Sequence, residues 1–191
     1  MIAQALGVAE AVRTRRSAGR LLDVAPQDGE LHRLVGLAMN APDHADLRPW
    51  RLALLRGEAR SALGAALAEA AGDEAQRAKP LRAPLLIAIV FRPVPHPKVP
   101  EWEQLASASW VVANLGLLLH AEGWASVWRT GPHLGGEAVR AVLGLAAGER
   151  LLGFLYVGLP DADRSRGARP PRDATPHLTV LDIAPAQEGT P

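Results

Sequence analysis

Four arginines and a serine fall within eight residues near the start of the chain, Arg13-Thr14-Arg15-Arg16-Ser17-Ala18-Gly19-Arg20. Guanidinium groups grip phosphate or carboxylate through forked, charge-assisted hydrogen bonds, and a serine hydroxyl with nearby backbone amides completes such a cradle. The same arginines could instead complement the dipole at the end of their own helix. Positive charge is carried almost wholly by arginine, since Lys79 and Lys98 are the lysines of the chain. That bias suits planar anion recognition, although a GC-rich genome would also produce it. His44, with Asp43 and Asp46 beside it, has metal-binding side-chain types, but three ligands crowded into four loop residues are badly placed to surround one ion.

Other chemistries find little support. The glycine-rich dinucleotide fingerprint and the phosphate loop are both missing. None of the serines sits in a nucleophile-elbow context, so hydrolysis is a weak reading. The absence of cysteine removes disulfides, thiol redox chemistry, cysteine-ligated zinc and iron–sulfur clusters, so any redox work would use a borrowed cofactor. With a net charge of +1, no global field draws nucleic acid or an anionic membrane, and an anion site must be local. Arg13, Arg15 and Arg16 follow the first apolar stretch, the reverse of a secretory signal, from which a cytoplasmic location is expected. The longest apolar run, residues 110–119, is too short to span a bilayer.

At 191 residues, 48% of them apolar, the chain fits one domain, or one whose completion needs a second copy. Apolar spacing predicts helices over 2–14, 27–39, 58–79, about 103–122 and 137–143. Strands are expected at 50–56, 85–91, 125–130, 151–158 and 177–183, with residues 85–91 buried on both faces because polar alternation is absent. Residues 92–100 carry four prolines and read as a loop over a surface site, and 160–176 as an extended arm. A strand lying beyond such an arm is the kind of element one subunit lends to another. Together these elements suggest one domain over 1–184 with a C-terminal tail at 185–191, layered around a single sheet.

The motifs, in order, resemble the nitroreductase family of FMN-dependent oxidoreductases, in its minimal YdjA-type branch. The resemblance runs through Arg15-Arg16-Ser17, Ala41-Pro-Asp-His44 leading to Pro49-Trp50, Lys98-Val-Pro-Glu-Trp-Glu-Gln104, Gly123-Trp-Ala-Ser-Val-Trp-Arg-Thr-Gly131 and Gly153-Phe-Leu-Tyr-Val-Gly158. It implies an α+β, nitroreductase-like three-layer fold, a central mixed sheet flanked by helices, in an intertwined homodimer with the C-terminal strand exchanged. It further implies that Arg15, Arg16 and Ser17 hold the ribityl phosphate of FMN and that Arg129 with Trp128 and Thr130 closes the phosphate end, with Asn40 and His44 reaching the flavin from the partner chain. Nicotinamide contacts are placed at Leu118, Leu119, His120, Ala121, Glu122 and Gly123. The implied activity is hydride transfer from NADH or NADPH to a small organic acceptor such as a nitroaromatic, quinone or enone, by a ping-pong route. No protein acid or nucleophile is required, and no metal, nucleic acid or membrane partner. A protein that stores, senses or delivers FMN is the alternative. Larger family members carry Asn and Gln before Pro-Trp where this chain has Asp46 and Arg48. Arg48 either tunes the flavin or faces solvent, with Arg20 or Arg129 able to serve instead. Trp128 is expected beside the cofactor and Trp102 as a substrate lid.

Overall fold

The seven residues Leu85–Phe91 form strand β3, and each of them is buried, as expected of an apolar run covered on both faces. In the computed structural model, which describes residues 7–161, 170 and 172–181, β3 lies between β2 (Trp50–Leu55) and β5 (Arg150–Pro160). β5 also pairs with β1 (Leu21–Leu22) and β4 (Ala125–Arg129). Every ladder is antiparallel, where a mixed sheet was expected, and the parallel component is an isolated bridge between Ser17 and Ser126. The reason lies in the connections. Helix α3 (Glu58–Ala71) carries the chain back from the end of β2, and residues 73–84 then return it before β3 begins, so β3 runs opposite to β2.

Helices cover both faces. Leu85, Ile87 and Ile89 of β3, with Leu155 and Val157 of β5, pack against α2 (Asp28–Ala38) and α4 (Glu101–Ala121). The alternate residues Leu86, Ala88, Phe154 and Tyr156 pack against α3 and α5 (Glu137–Val142). Each strand thus feeds two apolar layers, giving the expected three-layer arrangement. The proline-rich loop is stapled to α4 by buried Gln104, whose amide accepts from Val94 N (2.9 Å) and donates to the carbonyls of Val94 (2.8 Å) and Val99 (3.1 Å).

Three expectations change. The helix expected over 58–79 ends at Ala71, because Gly72 enters the left-handed region at φ +61° and Asp73 caps a separate 3₁₀ turn, Glu74–Ala78, by accepting from Ala75 N at 2.9 Å. Among the described residues of the span 177–183, where a strand was expected, none is present. Thr175–His177 is a 3₁₀ turn, Leu178–Leu181 is irregular, Leu178, Val180 and Leu181 are exposed, and residues 182–183 lie outside the described residues, as does the tail 185–191. The first helix, α1, covers Val8–Thr14, the start of its expected span also lying outside the described residues.

The loop before β2 holds three non-glycine residues at positive φ, Ala45 (65°), Asp46 (51°) and Arg48 (46°). The Asp43 carboxylate fastens it by accepting from Leu47 N (3.3 Å) and Arg48 N (2.7 Å). An L-residue in that region costs about 1 kcal/mol relative to glycine. Ala45→Gly is therefore expected to raise stability by about 0.5–1 kcal/mol, less the entropy that glycine adds to the unfolded chain. An unchanged or lower urea midpoint would show that the loop is not strained there.

Candidate functional site

The arginine motif leaves α1 in extended conformation and runs onto the edge of β4. Ser17 bridges Ser126, and Ala18 N donates to Ser126 O at 3.1 Å. Arg16 Nη1 turns back to the carbonyls of Arg13 (3.1 Å), Thr14 (3.4 Å) and Arg15 (3.1 Å), so it caps its own helix, while Arg13 pairs with Glu10 at 2.7 Å. Arg13 and Arg16 thus serve the helix, while half-buried Arg15 stands beside Ser17 at the sheet edge. β4 continues past Ser126 to Arg129, about 10 Å along a strand. Because Ser126 turns its carbonyl outward, pleat alternation puts the backbone polar groups of Trp128 on that same outer edge.

Arg129 ends this strand on the α3/α5 side of the sheet. Its guanidinium lies over the Tyr156 ring at 5.5 Å, and its Nε is buried without a hydrogen-bond partner. It opens into a cleft of about 510 Å³, lined also by Gln76, Lys79, Arg82, Thr130 and His133, with Leu67, Phe154 and Tyr156 among its apolar and aromatic walls. No carboxylate is among the lining residues. Burial pushes the Tyr156 phenol up, and Arg129 and Arg82 oppose that shift. A concave site lined by Lys79, Arg82 and Arg129 and by no carboxylate suits an anion or an electron-rich carbonyl edge. Gln76, Lys79, Arg82 and His133 were not read from the sequence. The available signal was Lys79, one of two lysines in an arginine-rich chain, next to the Gly72-Asp73 helix stop.

The remaining expected residues sit elsewhere. Trp128 is partly exposed and donates from Nε1 to Leu152 O at 3.3 Å. Asn40 Nδ2 donates to Leu37 O (3.0 Å) and Gly36 O (3.4 Å) at the end of α2. His44 Nδ1 lies 2.9 Å from Glu103 Oε2, near the start of α4. Arg48 forks onto Asp46 at 3.0 and 2.8 Å in solvent, within its own loop. In the segment 118–123, Leu119 is fully buried, Glu122 pairs with Arg33, His120 bonds Thr14, Leu118 and Ala121 are half-buried, and Gly123 is exposed where α4 ends. Trp102 and Trp110 stand exposed on α4, whereas Trp50 and Trp124 pack against the α2/α4 core. Among the described residues no group of three or more His, Asp or Glu is placed to hold a metal, and no helix is long and apolar enough to cross a membrane.

Comparison with known proteins agrees with this architecture. The nitroreductase family model matches residues 12–159. A protein provisionally named NAD(P)H nitroreductase YdjA, from Escherichia coli (strain K12), is 36% identical over 181 residues, covering 90% of this chain and 98% of that protein. A provisionally named NAD(P)H nitroreductase of Haemophilus influenzae is 33% identical over 154 residues, covering 76% and 84% of the two chains. Among solved structures, a nitroreductase-like family protein from Bacillus cereus superposes with a TM-score of 0.81 at 23% identity, covering 96% of this chain and 100% of that one. The FMN-dependent nitroreductase NfnB of Mycobacterium smegmatis, solved with NADPH, gives 0.70 at 20% identity, covering 92% and 98%. The chain belongs to the nitroreductase family of oxidoreductases.

Proposed function

We propose that this chain binds FMN and uses it to pass hydride from NADH or NADPH to a small organic acceptor, a nitroaromatic, quinone or enone, in a ping-pong cycle. The observation that carries the reading is the carboxylate-free cleft at the end of β4, lined by Lys79, Arg82 and Arg129. The donor set fits the cofactor. Arg15, Ser17 and the amides of the turn would hold the phosphate at the β4 edge, with Arg16 setting the turn. Arg129 and Thr130, which the resemblance places at the phosphate end, line the cleft with Lys79 and Arg82 and would instead face the electron-rich pyrimidine edge of the ring. FMN supplies the hydride chemistry itself, and the protein binds, orients and excludes water.

Distance supports a shared site. His44 is tied to Glu103, while Thr14, next to Arg15, is tied to His120, and those two anchors, 17 positions apart on α4, are separated by about 25 Å. That separation favours Asn40 and His44 acting on the site of a partner copy rather than on the flavin held by their own Arg15. The exposed Trp102 and Trp110 of α4, together with Leu178 and Val180 of the C-terminal segment, supply the apolar surface that a homodimer would cover.

The purified protein should be yellow, elute as a dimer, bleach on addition of NADH or NADPH, and regain colour with a nitroaromatic or quinone. Steady-state lines should be parallel. Arg129→Gln should weaken FMN binding about 10- to 100-fold, the loss expected for one charge-assisted contact. A colourless protein that fails to take up added FMN sinks the reading. Bound flavin reduced only slowly by both donors would leave storage or delivery of FMN in its place.

A further inference from the structure

Thr14, the last residue of α1, makes two contacts through one hydroxyl: Oγ1 lies 2.6 Å from the Glu10 carbonyl oxygen and 2.8 Å from His120 Nε2. A carbonyl can only accept, so the single hydroxyl proton goes to Glu10, and Thr14 Oγ1 must accept from His120. His120 therefore carries its hydrogen on Nε2, and Nδ1 is the nitrogen free to titrate. This bond ties α1 to α4 immediately before Arg15. α1 has seven residues, of which Ala11 is buried, so apolar packing alone holds it weakly.

We propose that His120 is a positioning residue which, through Thr14, sets the Arg15–Ser17 turn and takes up a proton when a phosphate monoester occupies that turn. The inference rests on the FMN reading above and assigns His120 a place at the phosphate end of the cofactor, in contrast to the nicotinamide contact implied by family resemblance.

The surroundings of the imidazole carry the second half of the proposal. Burial, Arg15 and Arg16 all hold its pKa below the usual histidine value, and Glu10 alone opposes them. Arg13 is occupied by Glu10, and Glu122, two residues along α4, by Arg33. Ser126, which the motif meets on β4, carries no charge. Burial and the field of the two arginines thus favour neutral His120. A bound phosphate dianion offsets the field of both arginines, and protonation of Nδ1 becomes easier. By linkage, a ligand that raises this pKa binds more tightly as pH falls.

The monoester has its own ionisation near pH 6, which acts in the opposite direction. The informative quantity is therefore the difference between wild type and His120→Gln. The glutamine amide can still donate to Thr14 but cannot titrate. FMN and riboflavin binding to the full-length apoprotein would be measured at pH 6 and pH 8, with calorimetry in two buffers of different ionisation enthalpy. Going from pH 8 to pH 6, wild type should gain about threefold or more in FMN affinity relative to His120→Gln, a shift of half a pKa unit or more. FMN binding near neutrality should take up a fraction of a proton in wild type that is absent in the glutamine variant. Riboflavin, which lacks the phosphate, should show neither effect. His120→Ala should lose FMN affinity and riboflavin affinity unequally, FMN more. Equal pH dependence and equal proton uptake in wild type and His120→Gln would overturn the role of His120 while leaving FMN binding intact. Failure to bind FMN at either pH would overturn the functional reading and this one with it.

Discussion

Glu149→Gln is expected to lower stability at pH 7 by about 3 kcal/mol and to make the fall in stability between pH 4.5 and pH 2 shallower. Glu149 is buried, and its carboxylate receives a two-pronged guanidinium from Arg51 of β2, Nε to Oε1 at 2.8 Å and Nη2 to Oε2 at 2.7 Å. Ala146 N donates to the same group at 3.0 Å, and Arg51 Nη2 also reaches Gly144 O at 3.1 Å. The clamp fixes the start of β5 and the end of α5 to β2, an edge strand otherwise held by β3 alone. Arg51 holds the Glu149 carboxyl down, from an ordinary 4.5 to about 2, a displacement worth on the order of 3 kcal/mol. For a depressed carboxyl the contribution is complete above the unfolded-state value, near 4.5, and disappears as pH falls through the folded-state value near 2. Removing one partner of a buried pair also leaves the other undersolvated, which puts the loss near the upper end of single-site effects. Urea denaturation at pH 7 and pH 3 tests both statements. If wild type and Glu149→Gln lose stability in parallel on acidification, Glu149 is not the group that couples folding to protons.

What could be read from the chain depended on whether neighbours in sequence or neighbours in space decide the outcome. The uninterrupted run Leu85–Phe91 contains its own evidence of two-sided burial, and the apolar spacing before Gly123 likewise announces α4. The arginine motif is local, and its position at a helix end was visible. Its bridge to Ser126 was not, because more than a hundred residues separate them. The cleft shows the same limit. Gln76, Lys79 and Arg82 meet Arg129 because β4 and β3 both flank β5, and that strand order has no signature near residue 79. Positive φ at Ala45, Asp46 and Arg48 was hidden for a different reason: two of those residue types disfavour the conformation, so Asp43 and tertiary packing impose it against local preference. At residues 177–183 the alternation of apolar side chains was plain, yet alternation only says that one face wants cover. Among the described residues nothing provides it, and Leu178 and Val180 are exposed.

Gly153→Ala joins the core to the proposed cofactor site, and it is expected to cost about 3 kcal/mol or more together with a large loss of FMN affinity. Between Ile89 and Val90 the β3–β5 register skips from Gly153 to Leu151, leaving Leu152 as the extra residue of a bulge. Gly153 adopts φ +138°, a region that excludes side chains. A Cβ there would lie 2.5 Å from Arg129 O and 2.6 Å from Trp128 Nε1. The indole could swing aside, at the expense of its bond to Leu152 O. The Arg129 carbonyl is backbone and cannot move without displacing the end of β4. Backbone strain of about 1–2 kcal/mol and overpacking of about 1–3 kcal/mol then add. The displaced segment includes Trp128, Arg129 and Thr130, so binding should suffer beyond what lost stability explains. Gly36→Ala is the contrasting substitution: its Cβ meets nothing within 4 Å on helix α2, and helix propensity should make it neutral or stabilising by up to about 1 kcal/mol. Thermal melts and flavin titrations of both variants give the comparison. A Gly153→Ala protein that melts like wild type and binds FMN as tightly would show that β4 yields freely at Arg129. In that case the bulge does not fix the position of the cleft.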